Sequence, residues 1–255
     1  MLDEPLLLTQ HLEELRKRLI IAAAAWLLAF LVCYSFAEPL FSFLSQPLQE
    51  TLPEGSSLVF LTATEPFFTY LKIAAMAALV VSLPVILWQA WAFVAPGLHV
   101  HEKRFGIAFV VSSCLCFSAG AGFGFAYLFP LILSVLIKFG IGVGGVNAML
   151  SMDAYLSLAL HLLLAFGLVF ELPVVIVLLA RLGVVDHRWL RQHRKYMVIV
   201  AFVFGAVFTP GPDVFSQCAL AIPFVILYEV GILGARIFGR KSAAAQTSVP
   251  LLPGV

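Results

Sequence analysis

His11-Leu12-Glu13-Glu14-Leu15-Arg16-Lys17-Arg18-Leu19 runs without a break into Leu19 to Phe36, LIIAAAAWLLAFLVCYSF. A basic triplet followed by eighteen uncharged, mostly apolar residues is the pattern of a membrane helix. Lys and Arg stay with the anionic inner leaflet, so the triplet also fixes which end of the helix lies inside. Glu13 and Glu14 are out of place beside that leaflet. They put carboxylates at the water boundary, where a cationic ligand could meet them.

Composition carries the same reading over the whole chain. Of its 255 residues, 62% are hydrophobic and 11% charged, and the mean hydropathy is +1.04. A soluble domain carries about 25% charged residues, so no water-surrounded fold hides this much apolar surface. The net charge of +1 gives no reason to expect nucleic acid. Cys33, Cys114, Cys116 and Cys218 all fall in apolar runs. Their spacing fits neither a metal site nor a disulfide framework, and they read as small core residues. Arg16 to Ala37 has the outline of a cleavable signal, with Ser35-Phe36-Ala37 as a small-x-small site. Its polar lead-in is long, however, and its removal would spoil the topology that follows.

Six apolar segments stand out, running from Leu19 to Phe36, Ile73 to Ala95, Phe105 to Leu133, Ala154 to Ala180, Tyr196 to Phe208 and Val214 to Ala235. Most reach the ~20 residues that cross a ~30 Å hydrocarbon core. They must be helices, because open strands leave backbone groups unpaired in lipid. With six spans, every one of the 15 Lys and Arg except Lys72 and Lys138 falls on one side. The fold expected is all-α and polytopic, with both termini cytoplasmic and the chain in the inner membrane. A six-helix domain over 1–236 would be followed by a disordered tail over 237–255. On the outer side, the Pro-rich linker Glu38 to Lys72 carries an apolar-periodic stretch, Leu40 to Leu48, that predicts a short surface helix. The Gly-rich linker Ile137 to Asp153 ends in a helix cap at Ser151. No internal repeat points to an inverted-repeat transporter. Tyr196 to Phe208 is 13 residues, about 20 Å, and is short for a bilayer, so lipid thinning or tilt is expected unless flanking residues extend the span.

The acids inside this frame are the functional candidates. Glu13 and Glu14 face Lys17 and Arg18 at i, i+4, which by spacing alone describes exposed helix salt bridges. Glu102, in His99-Val-His-Glu-Lys-Arg104, is on the same side. It reads as a helix-start acid; as part of a metal cluster with His99 and His101 it lacks further ligands. Glu171 in Phe170-Glu-Leu-Pro173 lies about 14 Å inside the membrane end of its helix. A charge there costs at least ~2.5–3.5 kcal/mol on insertion scales, which marks it as functional. Gly167, one turn away, is expected to leave room beside it, and Pro173 to bend the helix. Asp213 precedes the last span as a cap, Gln217 could bond between helices, and Glu229, read as structural, is close enough to Arg236 to snorkel or pair with it. Enzyme signatures such as G-x-S-x-G, H-E-x-x-H or a phosphate-binding glycine loop are absent from the sequence. Neither catalysis nor a cofactor is expected.

Taken together these residues resemble the TatC family of twin-arginine protein translocases, over nearly the whole chain. The resemblance rests on His11 to Leu19; on Phe93-Val-Ala-Pro-Gly-Leu98 with Glu102-Lys-Arg104; on Phe170-Glu-Leu-Pro173; and on Phe208-Thr-Pro-Gly-Pro-Asp-Val-Phe-Ser-Gln217. Gly211 lengthens the last turn relative to the Thr-Pro-Pro-Asp form of some members. The resemblance implies a receptor for signal peptides with two consecutive arginines, acting in the export of folded proteins driven by the proton-motive force. Glu14 and Glu102 would meet the arginines, with Glu13 left to Lys17. Glu171 would be the polar group within the bundle. Arg16, Phe93, Pro47, Asp213 and Gln217 would support the site or contact partners. Partners implied are the single-span subunits TatA and TatB, membrane lipid and further copies of the chain. A proton-coupled solute transporter using Glu171 and His161 stands as the alternative, and it leaves the acids beside the basic clusters unexplained.

Overall fold

A computed structural model describes residues 8–51, 57–94, 106–141, 149–209 and 214–239. The helices are α1 (Leu8–Tyr34), α2 (Ala37–Thr51), α3 (Glu65–Val94), α4 (Gly106–Phe123), α5 (Phe129–Ile141), α6 (Met152–Arg181), α7 (His187–Gln192), α8 (Arg194–Phe208) and α9 (Val214–Phe238). A single π turn, Gly124–Leu128, joins α4 to α5. These make five helices long and apolar enough to cross a membrane: α1, α3, the composite Gly106–Lys138, α6 and α9. The 15 residues of α8 coincide with the short fifth apolar segment of the sequence; at 1.5 Å per residue it is about 22 Å long, consistent with a short sixth span. The fold is an all-α polytopic membrane bundle, and its helices coincide with the six apolar segments of the sequence.

The bundle is built around α6. Leu156, Leu162, Ala165 and Phe166 have no exposed area, and Phe129, Ile132, Leu220 and Phe224 pack around them. Gly120 is what brings α4 against α6: a Cβ there would lie 2.4 Å from the Phe166 carbonyl oxygen. α1 joins from the side. Ala74 and Ala78 of α3, both fully buried, make room for Cys33, Trp26 and Phe30, and Trp26 Nε1 donates to the Ala75 carbonyl at 3.1 Å. The outward residues Leu27, Leu28, Leu31 and Val32 are left exposed. Large apolar side chains facing outward along whole helices suit hydrocarbon rather than water.

Side-chain contacts sort the helix ends onto two faces. On one, α1 begins and α3 ends together, α4 starts beside the α3 end through the Trp91–Phe109 stack, and α8 starts beside the end of α9 through Arg194 and Glu229. On the other, Tyr155 at the start of α6 donates to the Leu44 carbonyl of α2 at 2.9 Å. Lys72 reaches Ser157 Oγ at 3.0 Å and the Asp153 carboxylate. The first is the basic face: among the described residues, every Lys and Arg except Lys72 and Lys138 sits at its helix ends or on α7 between them. The outer-surface helix expected at Leu40 to Leu48 is present and longer, as α2, and runs through Pro47. α9 continues to Phe238, two residues past the predicted domain end, and the tail beyond 239 lies outside the described residues.

The linkers opposite the basic face contain an element absent from the sequence reading. Strands Ser57–Val59 (β1) and Met149–Ser151 (β2) pair in parallel, in register Ser57 to Met149, Leu58 to Leu150 and Val59 to Ser151. The cap at Ser151 forms as expected, its Oγ accepting from the Ala154 amide at 3.3 Å.

Candidate functional site: the basic-face cleft and the intramembrane acid

The first turns of α1 lie beside the last turns of α3. His11 stacks on Phe93 with ring centroids 4.4 Å apart and planes 26° apart, which fixes the two helix ends side by side. Between them opens a cleft of about 370 Å³ lined by Gln10, Glu13, Glu14, Lys17, Arg18 and Ile21 of α1 and by Gln89 of α3. Glu14 is partly buried in it. Its Oε1 accepts from Arg18 Nε at 3.0 Å and from the Arg18 Nη2. Both guanidinium contacts go to one carboxylate oxygen, so Oε2 is not used by Arg18. Glu13 makes no ion pair with Lys17 among the described residues. The i, i+4 spacing permits that pair, but both side chains are exposed, and holding them together gains little over water. Arg16 is exposed on the same turn.

Glu102 lies outside the described residues, as does the whole segment 95–105. Both ends of that segment are placed on the basic face, at Val94 of α3 and Gly106 of α4. Asp213 and the Thr-Pro-Gly-Pro turn after residue 209 also lie outside them. Pro47 is half-buried within α2, on the opposite face from Glu14.

Glu171 is half-buried on α6. Ser113 of α4 is the polar group that faces it. The Ser113 hydroxyl and Glu171 Oε1 are both enclosed in the α4–α6 contact. The space expected beside Gly167 is taken: a Cβ there would come 2.5 Å from the Phe117 ring. Gly167 admits Phe117, and so seals the α4–α6 contact next to the acid. Pro173 sits inside α6, which continues through it.

Gln217 bonds between helices as expected, donating from Nε2 to the Phe202 carbonyl of α8 at 2.8 Å. Glu229 does not pair with Arg236. Its partner is Arg194 at the start of α8. Sequence proximity favoured Arg236, but the α8–α9 crossing brings a residue 35 positions away within reach.

One polar centre was missed entirely. Glu65, 8% exposed, accepts at Oε1 from Ser151 Oγ at 2.5 Å and from the Asp153 amide at 2.7 Å. Its Oε2 accepts from the Leu61 amide at 2.6 Å and more weakly from Thr62 at 3.4 Å. Local sequence did hold a trace of it: Thr62-Ala-Thr-Glu65 is a capping-box pattern, whose acid reaches back to an upstream amide.

Comparison with known proteins now bears on this arrangement. Residues 10–223 match the family model described as "Sec-independent protein translocase protein (TatC)". The TatC protein of Desulforapulum autotrophicum is 41% identical over 91% of this chain and 85% of its own length. That of Escherichia coli is 42% identical over 92% and 90%. The fold also matches a solved structure described as the twin arginine translocase receptor TatC, with a TM-score of 0.78 at 38% identity, over 90% of this chain and 100% of that one. By family model, by identity across most of its length and by fold, the chain belongs to the TatC family of Sec-independent protein translocase proteins.

Proposed function

We propose that the chain is the signal-peptide receptor and core subunit of a twin-arginine translocase, exporting folded proteins at the expense of the proton-motive force. The observation that carries this reading is Glu14: a partly buried carboxylate in a cleft on the face that also bears both ends of the Glu102 segment. In this reading Glu14 and Glu102 receive the two consecutive arginines of the signal. Arginine presents a planar fork that a carboxylate meets through two bonds, which lysine cannot do. Each charged contact contributes about 1.5–3 kcal/mol. Two of them fall short of the ~8 kcal/mol that micromolar binding needs, so the apolar part of the signal binds as well. The excess of Lys and Arg on the basic face supports a cytoplasmic position for that face and for both termini.

Glu171 and Ser113 serve as a polar site within the bundle during transport. TatA and TatB, as single-span helices, dock on α8 and near Gln217; the exposed stripe Ile199, Val203 and Val207 supports this surface. Arg16, Phe93, Pro47 and Asp213 have supporting roles, Phe93 by holding His11 and hence the α1 entry. Further copies of the chain share the receptor complex. The solute-transporter alternative loses support from geometry. His161 is engaged with its own helix through Ser157, and ten residues of helix separate it from Glu171 by about 15 Å.

Site-specific photocrosslinking tests the assignment. A photoreactive residue in place of Gln10, which lines the cleft, should capture a twin-arginine signal peptide in wild type. Capture should be lost when Glu14→Ala and Glu102→Ala are combined. Undiminished capture in a stably inserted double variant would remove these two residues from the receptor site.

A further inference from the structure

A second cavity, of about 420 Å³, opens on the basic-face half of the bundle, where α4 and α9 flank the last two turns of α6. Trp91 and Phe109 line it from α3 and α4, Val230 and Phe238 from α9, and Val177 from α6. Among its lining groups Arg181 supplies the charge, at the last turn of α6, with its guanidinium carbon 5.7 Å from the Phe238 ring. The volume is within the 300–1,000 Å³ range of ligand sites. We propose that this groove is a site for one anionic phospholipid, its acyl chain lying over Val177 between α4 and α9 and its phosphate on Arg181.

Polarity along the groove decides the occupant. It is apolar toward mid-membrane and cationic at the basic face, which matches a phospholipid's own order of deep apolar chain and surface phosphate and is opposite to it in charge. A signal peptide entering with its arginines at the basic face would bring like charge onto Arg181. A guanidinium fork matches phosphate through two bonds, and Arg181 lies at the depth where a helix end meets the headgroups. A basic residue at an anionic surface favours the acidic lipid by about 1 kcal/mol, roughly fivefold. The site does not depend on the receptor reading of Glu14, since neither the groove nor Arg181 takes part in it.

Trp91 is a built-in reporter. A variant with Trp26, Trp88 and Trp189 replaced by Phe keeps Trp91 as the single tryptophan. It is reconstituted into phosphatidylcholine vesicles containing graded fractions of acyl-dibrominated phosphatidylglycerol or acyl-dibrominated phosphatidylcholine. Bromine quenches only at short range, so quenching reports a chain in the groove. Half-quenching should need about fivefold less of the dibrominated phosphatidylglycerol. Arg181→Gln should remove that preference, and Ala108→Leu, which fills the groove, should weaken quenching by both lipids. Equal half-quenching by the two lipids, or a preference unchanged in Arg181→Gln, would overturn the proposal. So would a twin-arginine peptide that relieves the quenching, because it would assign the groove to the peptide.

Discussion

Glu65→Ala is the substitution whose cost the structure defines best. The carboxylate ties three chain segments together: the β1–α3 linker through Leu61, the end of β2 through Ser151, and the start of α6 through Asp153. Each hydrogen bond to a charged group contributes about 1.5–3 kcal/mol. Leu61 and Ser151 stand near the membrane surface and regain water once the acid is gone, whereas the Asp153 amide belongs to the first turn of α6. We therefore expect about 2–4 kcal/mol of destabilisation, from the Asp153 bond in full and the other two in part. Glu65→Gln should cost less, because its one oxygen can keep the Ser151 and Asp153 bonds while its amide nitrogen faces the Leu61 amide. Thermal unfolding of the detergent-purified protein, followed by intrinsic fluorescence, gives the ranking. A double-mutant cycle with Ser151→Ala isolates the cross-segment bond, with an expected coupling of about 1–2 kcal/mol. Additive effects, within about 0.3 kcal/mol, would show that Glu65 does not fasten β2 to α3, and the reasoning from these distances would fail.

Further outcomes follow from the same packing. Gly120→Leu should lower the melting temperature by an amount matching at least about 1–3 kcal/mol, because its Cβ meets the Phe166 carbonyl and not a yielding side chain. Gly122→Leu, within the same helix and with open space around its Cβ, is the control and should not lower it. At Glu171, Gln should support more transport than Ala or Lys, since a neutral polar group still answers Ser113; Gln as inactive as Lys would mean that ionisation itself is required. Arg194 and Glu229 are each nearly half exposed, so Ala at either should cost under about 1 kcal/mol of thermal stability. Charge reversal at Glu229 should be rescued by reversal at Arg194 and not at Arg236.

The helices were legible because bilayer thickness, charge exclusion and the asymmetry of Lys and Arg act residue by residue on the sequence. The start of α6 was readable for the same reason, since Ser151 caps its own helix. Pairings between distant segments were not. Glu229 looked toward Arg236 seven residues on, and only the α8–α9 crossing reveals Arg194. Gly167 read as space beside an acid, and only the approach of α4 shows that Phe117 fills it. The parallel strands β1 and β2 are three residues each and some ninety positions apart, too short to leave a periodic signal. At the basic face the spacing of Glu13 and Glu14 described two equal salt bridges. What separates them is burial: Glu14 and Arg18 are partly buried, while Glu13 and Lys17, which line the same cleft, stay exposed.

The central claim is that Glu14 and Glu102 read guanidinium groups. Equilibrium binding of a twin-arginine signal peptide and its twin-lysine counterpart, to the detergent-solubilised protein and to the Glu14→Ala, Glu102→Ala double variant, tests it directly. Wild type should bind the arginine peptide at least tenfold more tightly than the lysine peptide, corresponding to about 1.4 kcal/mol or more. The double variant should bind the two alike, both weakly through their apolar segments. A preference for arginine that survives in the folded double variant would contradict the account.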